Sequence, residues 1–136
     1  MPPIQEKSDI VVSLTYYACI SKLNDGSFSV IFPDATCVYT CADTIEDIIK
    51  KAKIELEDLF LICAECRQTF FMPSTLDAIE NYYSTEYWEL SNDRWESEED
   101  RDYFKSLVVS QEFVPITVVP PNDAYLNWMI PYPKYN

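Results

Sequence analysis

Histidine is absent from this 136-residue chain, and glycine occurs once, at Gly26. Without histidine the commonest general base at neutral pH is missing, and with it any Ser–His or Cys–His nucleophile pair. One glycine cannot build a glycine-rich loop that cradles phosphates. Basic residues are scarce too: 10 Lys and Arg stand against 23 Asp and Glu, a formal net charge of −13. Phosphate recognition needs clustered Lys and Arg, so this balance argues against nucleic acid, DNA included, as a direct partner. No apolar run is long enough to cross a bilayer, and the opening MPPIQEKSDI has no apolar stretch of signal-peptide type. The expectation is a cytoplasmic protein with no membrane segment.

What is present bounds the fold. Apolar residues make up 48% of the chain, which excludes a disordered polymer and fills one domain with a real core. The acidic balance suits a basic protein partner, because opposite fields speed encounter and raise selectivity. It also serves simple solubility, and charge alone does not separate the two readings.

The chain order reads strand, strand, strand, helix, an acidic stretch with helical pieces, then a strand. In IVVSLTYYACI (10–20), Val12, Leu14, Tyr16, Ala18 and Ile20 alternate onto one face. Asp25-Gly26 then signals a hairpin, since the turn needs a positive φ. FSVIF (28–32) returns with Phe28, Val30 and Phe32 on one face; Pro33-Asp34 breaks it, and CVYTC (37–41) reads as a third strand. From 43 to 63 the apolar positions Ile45, Ile48, Ile49, Ala52, Leu56, Leu59, Phe60 and Cys63 keep helical spacing over about five turns. Asp43 with Glu46, or Thr44 with Asp47, opens this helix in capping-box style. Ser74 and Asp77 are candidate caps of a second, shorter helix, and Ser97 with Asp100 opens another to about Leu107. FVPITVV (113–119) reads as a strand that lies at an edge or is bulged at Pro115, which has no amide hydrogen to give a ladder. The fold class is therefore α+β: a three-stranded antiparallel sheet plus an additional edge strand, with one long helix packed on one face.

Three residue groups compete for chemistry. Five cysteines include Cys37 and Cys41, and a C-x-x-C pair at Cys63 and Cys66; together these could hold zinc. In a regular strand, however, Cys37 and Cys41 stand about 13 Å apart, and Cys63 falls on the apolar helix stripe. The expectation is buried core thiols and no metal or other cofactor. Asp34 and Asp43 could face one end of the sheet as paired carboxylates, but a turn residue and a helix cap explain them without catalysis. No catalytic residue is assigned. The aromatics Tyr82, Tyr83, Tyr87, Trp88, Trp95, Tyr103 and Phe104 lie among acids, a composition found at interface hot spots. They serve equally to anchor the segment to its own domain. The candidate partner-binding set is Tyr83, Tyr87, Trp88, Trp95, Glu98, Glu99 and Asp100.

The segment YYACISKLNDGSFSVIFPDATCVYTCADTIEDIIKKAKIELEDL resembles the HicB antitoxins of bacterial toxin–antitoxin pairs. Tyr16, Asp25, Gly26, Phe32, Pro33, Asp34, Thr40, Asp43, Thr44 and Glu46 match that pattern. Phe71, Met72, Pro73 and Ser74 are similar to the family's I-P-x-P-S loop. The resemblance covers about residues 10 to 79, with the strand at 113–119. It implies a truncated ribonuclease-H-like fold without enzymatic activity, a homodimer or higher homo-oligomer, and a basic HicA-like mRNA-cleaving toxin as partner. An orphan oligomeric adaptor or regulatory protein without a toxin partner is the alternative. The chain departs from the family where Cys37 and Ala42 replace glycines near the third strand. The stretch from about 80 to 111 is longer than typical. The HicB-like domain is placed at 1–119. The Pro- and aromatic-rich tail, 120–136, is too short for the DNA-binding module that typical members carry.

Overall fold

A computed structural model describes residues 13–87, 97–120 and 129–135, with only the backbone path for 83–87. Alternation in the first strand, β1 (Leu14–Leu23), sets the two faces of the sheet. Tyr16, Ala18 and Ile20 enter the main core, each at 2% exposure or less. Tyr17 and Cys19 turn to the other side, Cys19 against Phe113 and Tyr17 against the cluster of Ala78, Ile79 and Tyr135.

Strand β1 returns through a tight turn into β2 (Phe28–Phe32). The turn works because Gly26 adopts φ +90°, a region that side chains rarely occupy. Its amide donates to the Leu23 carbonyl at 2.9 Å, and the Leu23 amide to the Ser27 carbonyl at 2.8 Å. Asp25 Oδ1 accepts from the Ser27 hydroxyl at 2.6 Å and the Ser27 amide at 2.8 Å. These bonds hold its carboxyl below the usual carboxylate range.

Strand β3 (Ala35–Ala42) is longer than CVYTC implies and carries a register shift opposite Ile31/Phe32. That bulge takes in Thr36, Cys37 and Val38, between the partners Ala35 and Tyr39. Helix α1 (Ile45–Cys66) follows. Of its two candidate caps the structure uses Thr44: the residue is extended at φ −130°, and its hydroxyl accepts the Asp47 amide at 3.1 Å. Glu46 and Asp47 complement the helix dipole. Ile48, Ala52, Leu56, Phe60 and Cys63 lie in one buried cluster with Tyr16, Ala18, Ile20, Val30, Phe32, Ile116 and Val118. The helix ends without glycine, at Arg67 with φ 57°, whose amide caps the Cys63 carbonyl. The Gln68 amide joins it on that carbonyl at 3.0 Å.

The remaining elements are β4 (Phe70–Met72), α2 (Leu76–Tyr87), α3 (Glu98–Leu107), β5 (Val108–Val118) and β6 (Met129–Pro133). The main sheet is four-stranded and antiparallel, in the order β3-β2-β1-β5. Strand β5 starts at Val108, directly after α3 and five residues ahead of the expected 113. It pairs with β1 from Leu14↔Val118 to Leu23↔Val108, and Pro115 stands opposite Tyr17 at the sheet edge. Strands β4 and β6 form a separate two-stranded parallel pair.

Three helices accompany the sheet among the described residues, the long α1 and two shorter ones, where the expectation was one long helix on one face with shorter helical pieces after it. While α1 covers one face, Ala78 and Ile79 of α2 pack with Tyr135 against Tyr17 and Phe113 on the other. The thiols also differ from expectation: Cys19 and Cys63 are buried, but Cys37, Cys41 and Cys66 are exposed. Cys37 and Cys41 lie on β3, an edge strand of the sheet among the described residues. Cys66 closes the helix on the rim rather than on the inward stripe.

Leu56 is fully buried beneath the sheet. Truncation to Ala should cost about 2–5 kcal/mol from lost burial and the cavity left behind. Urea unfolding of Leu56→Ala measures this; a loss well under 1 kcal/mol would contradict the packing described.

Candidate functional site

Two regions place functional side chains, one on the surface and one buried. The surface candidates lie on two helices, α3 and α2. Ser97 caps α3, its hydroxyl accepting the Asp100 amide at 3.2 Å. Glu98, Glu99 and Asp100 then form an exposed acidic first turn, which the helix dipole favours. One turn on, Tyr103 is 68% exposed, on the same side of α3 as Glu99. Phe104 turns inward at 7%. On α2, Tyr82 is 69% exposed, although its ring also leans on Tyr135 at a centroid distance of 4.7 Å. Thus the structure joins Glu98, Glu99 and Asp100 with Tyr103 on a single helix. Tyr83 and Tyr87 are placed on α2 by their backbone alone, and Trp88 and Trp95 lie outside the described residues.

The buried region centres on Asp34, which sequence reasoning treats as a turn residue. Asp34 is 8% exposed and binds across 40 positions of chain. Its Oδ1 accepts the Ser74 hydroxyl at 2.6 Å, and its Oδ2 accepts the Ser74 amide at 2.9 Å. The Ser74 hydroxyl oxygen in turn accepts the Tyr135 amide at 3.1 Å, while the Tyr135 hydroxyl donates to the Pro33 carbonyl at 3.2 Å. Ser74 is thereby taken from the capping role expected of it. Thr75 caps α2 instead, accepting the Ala78 amide at 3.2 Å.

Electrostatics follow from this burial. Loss of water raises the Asp34 carboxyl above its ordinary value of 3.8; the two Ser74 bonds and nearby Lys134 oppose the shift. Tyr16 donates its hydroxyl to the Phe71 carbonyl at 2.6 Å. Its phenol is held protonated well above its usual range, by burial first and then by the neighbouring Asp34 and Cys63. This group can hold four chain segments together, but both Asp34 oxygens are occupied, so it offers no free base.

Asp34 and Asp43 do not converge. Strand β3 lies between them, a span of roughly 25 Å at the rise of an extended strand. Asp43 instead borders a shallow open depression of about 240 Å³ with Ser27, Cys41, Ala42, Asp47 and Lys51. Lys51 is engaged there, donating to the Cys41 carbonyl at 2.9 Å. Among the described residues no group of three or more Cys, Asp or Glu is arranged to hold a metal ion.

No protein-family model matches this chain, and no curated protein or solved structure matches it.

Burial of Asp34 has a pH signature. Because its folded value is raised, its contribution to stability is complete below the ordinary carboxylate value and is lost as pH rises through the folded value. Unfolding free energies of the wild type and Asp34→Asn, measured side by side from about pH 3.5 to 7.5, should reveal it. The wild type should lose ground to the variant as pH rises in that window, with all shared titrations cancelling. A difference that does not change with pH would contradict the burial of this carboxyl.

Proposed function

We propose that this chain is a HicB-like antitoxin: it binds a small basic HicA-like mRNA-cleaving toxin and blocks it. The observation that carries this reading is the charge, −13 over 136 residues, with an acidic turn and the exposed Tyr103 presented together on α3. A ribonuclease must attract phosphate, so its binding surface is basic, and an acidic protein competes for that surface through the same field. Tyr103 and Tyr82 supply the large amphipathic side chains that anchor interfaces. The surrounding acids set partner choice and encounter rate.

The scaffold side of the proposal rests on the residues of the resemblance. Gly26 makes the hairpin, Phe32-Pro33-Asp34 makes the bend, Thr44 caps α1, and Ser74 receives Asp34. These positions do joint structural work, which supports their being parts of one inherited pattern. A truncated ribonuclease-H-like sheet is the fold this proposal entails, with assembly into a homodimer or higher oligomer.

The burial of Phe104 and the Tyr82–Tyr135 contact favour the second reading, an orphan oligomeric adaptor whose aromatic segment docks on its own chain. The two readings separate in one experiment. The chain is co-expressed with the small basic protein encoded beside it, and the complex is assayed for RNA cleavage. The antitoxin reading expects co-purification, suppressed cleavage, and association rates that fall steeply with salt. Absence of a basic neighbour and of any tight complex would sink it.

Within such a complex, Tyr103→Ala should weaken binding by more than about 1 kcal/mol, with the association rate little changed. Glu99→Lys should mainly slow association and reduce its salt dependence. Surface plasmon resonance at two salt concentrations separates the effects; equal small losses for both variants would move the interface away from α3.

A further inference from the structure

The outer side of α1 carries a second apolar stripe. Ile54 is 55% exposed, and Leu61 and Ile62 are 48% exposed each. Their i, i+7, i+8 spacing puts them on one side of the helix, opposite the buried Ile48, Ala52, Leu56, Phe60 and Cys63. A helix that packs on a single sheet needs only the inward stripe. The charges beside the outward one are sorted along the axis. Lys50, Lys51 and Lys53 are three of the chain's ten basic residues, gathered within four positions, and the acids Glu55, Glu57 and Asp58 follow directly. Among the described residues none of these charges is in an ion pair.

We propose that the outer face of α1 is a self-association surface, on which a second copy of this chain lays its own α1 antiparallel, with the two-fold axis at Ile54. A helix turns about 100° and rises about 1.5 Å per residue. Measured from Ile54, Lys50 lies about 40° and Glu57 about 60° to one side, while Lys51 lies about 60° and Asp58 about 40° to the other. The two lysines stand about 5–6 Å before Ile54 along the axis, and the two acids the same distance after it. An antiparallel copy exchanges before and after but keeps the sides. Lys50 therefore meets Glu57 of the second copy, and Lys51 meets Asp58 of the second copy. The symmetry repeats both pairs. Between them Ile54 faces its own copy across about 8–10 Å of axis separation, and the methylene stem of Lys50 covers Leu61 of the second copy. Lys51 keeps its 2.9 Å bond to the Cys41 carbonyl throughout, because an ammonium has further hydrogens to donate.

Other occupants fit this face less well. A basic protein of the kind proposed for α3 would set its charge against the lysine cluster. A nucleic acid would bring phosphates to Glu55, Glu57 and Asp58. The matching surface is acidic where α1 is basic and basic where α1 is acidic, with an apolar centre, and α1 reversed has that pattern. The proposal gives the homo-oligomer of the reading above an interface. It stands or falls apart from the antitoxin activity, since no toxin enters its test.

Sedimentation equilibrium of the full chain over a range of concentrations should show a reversible monomer–dimer equilibrium, and Ile54→Asp should leave the monomer alone. Lys50→Glu and Glu57→Lys should each weaken the dimer about tenfold, because each turns two attractive pairs repulsive. The double variant Lys50→Glu/Glu57→Lys should recover most of that loss. These residues are about 10 Å apart along one helix, so the recovery arises between copies. For the register, Ile54→Cys in a Cys37→Ser/Cys41→Ser/Cys66→Ser background should give a disulfide-linked dimer on air oxidation, and Ile62→Cys in the same background should not. Circular dichroism verifies that each variant is folded. A monomer at every concentration, an oligomer that Ile54→Asp leaves intact, or a charge exchange without recovery would overturn the assignment.

Discussion

The bond between Asp34 and Ser74 is the constraint on which the arrangement of the other parts depends. A carboxylate taken out of water is tolerable only when its oxygens are satisfied. Here one serine satisfies both, using its amide and its hydroxyl. The same serine oxygen then accepts the Tyr135 amide. One side chain therefore fixes the entry to α2 and the segment after β6 against the bend between β2 and β3. Among the described residues no buried side-chain oxygen or nitrogen lacks a partner, so this polar knot is fully satisfied. That is the condition under which buried polarity specifies structure rather than weakening it.

Around this knot the two faces of the sheet differ in kind. The α1 face is a continuous apolar core, built from period-two strands meeting a period-3.6 helix. The other face mixes Cys19 and Ile31 with the buried hydroxyls of Ser21 and Ser29, and receives α2 near Tyr17 and Phe113. Gln111 donates to Ser21 at 3.2 Å across this face. The outer edge at β5 is long, but Pro115 removes a donor midway along it and Glu112 places a charge beside it, both of which discourage edge-to-edge pairing.

The α1 core was legible in the sequence because its signal is local. Tyr16, Ala18 and Ile20, and Val30 and Phe32, alternate as strands must, and Ile48, Ala52, Leu56, Phe60 and Cys63 repeat as a buried helix face must. The hairpin at Gly26 and the cap at Ser97 were equally readable, since each depends on residues within a turn of one another. What was not legible depends on distant partners. Asp34 looks like any residue after a proline until Ser74 arrives from the other side of α1. Ser74 looks like a helix cap until Asp34 claims it and Thr75 takes its place. Exposure of Cys37, Cys41 and Cys66 follows from which strand lies at the edge and where the helix ends, and neither is written in spacing. Of the candidate surface, the acidic first turn of α3 could be read from Ser97 onward. The outward turn of Tyr103 and the inward turn of its neighbour Phe104 could not, because they depend on how α3 packs against the rest of the chain.

The knot also has a consequence in time. Tyr135 gives its amide to Ser74 and its hydroxyl to the Pro33 carbonyl, the latter across 102 positions. During synthesis the β1–β2 hairpin, β3 and α1 can collapse early, since their contacts are close in sequence. Ser74 can reach Asp34 soon after, but its oxygen waits for an amide that the ribosome has not yet released. Until residues 129–135 emerge, β4 has no parallel neighbour and the β2–β3 bend has no tyrosine lid. The nascent chain thus passes through a state with its helix-backed sheet formed and its far side unsealed, and closure belongs to the segment translated last among those described.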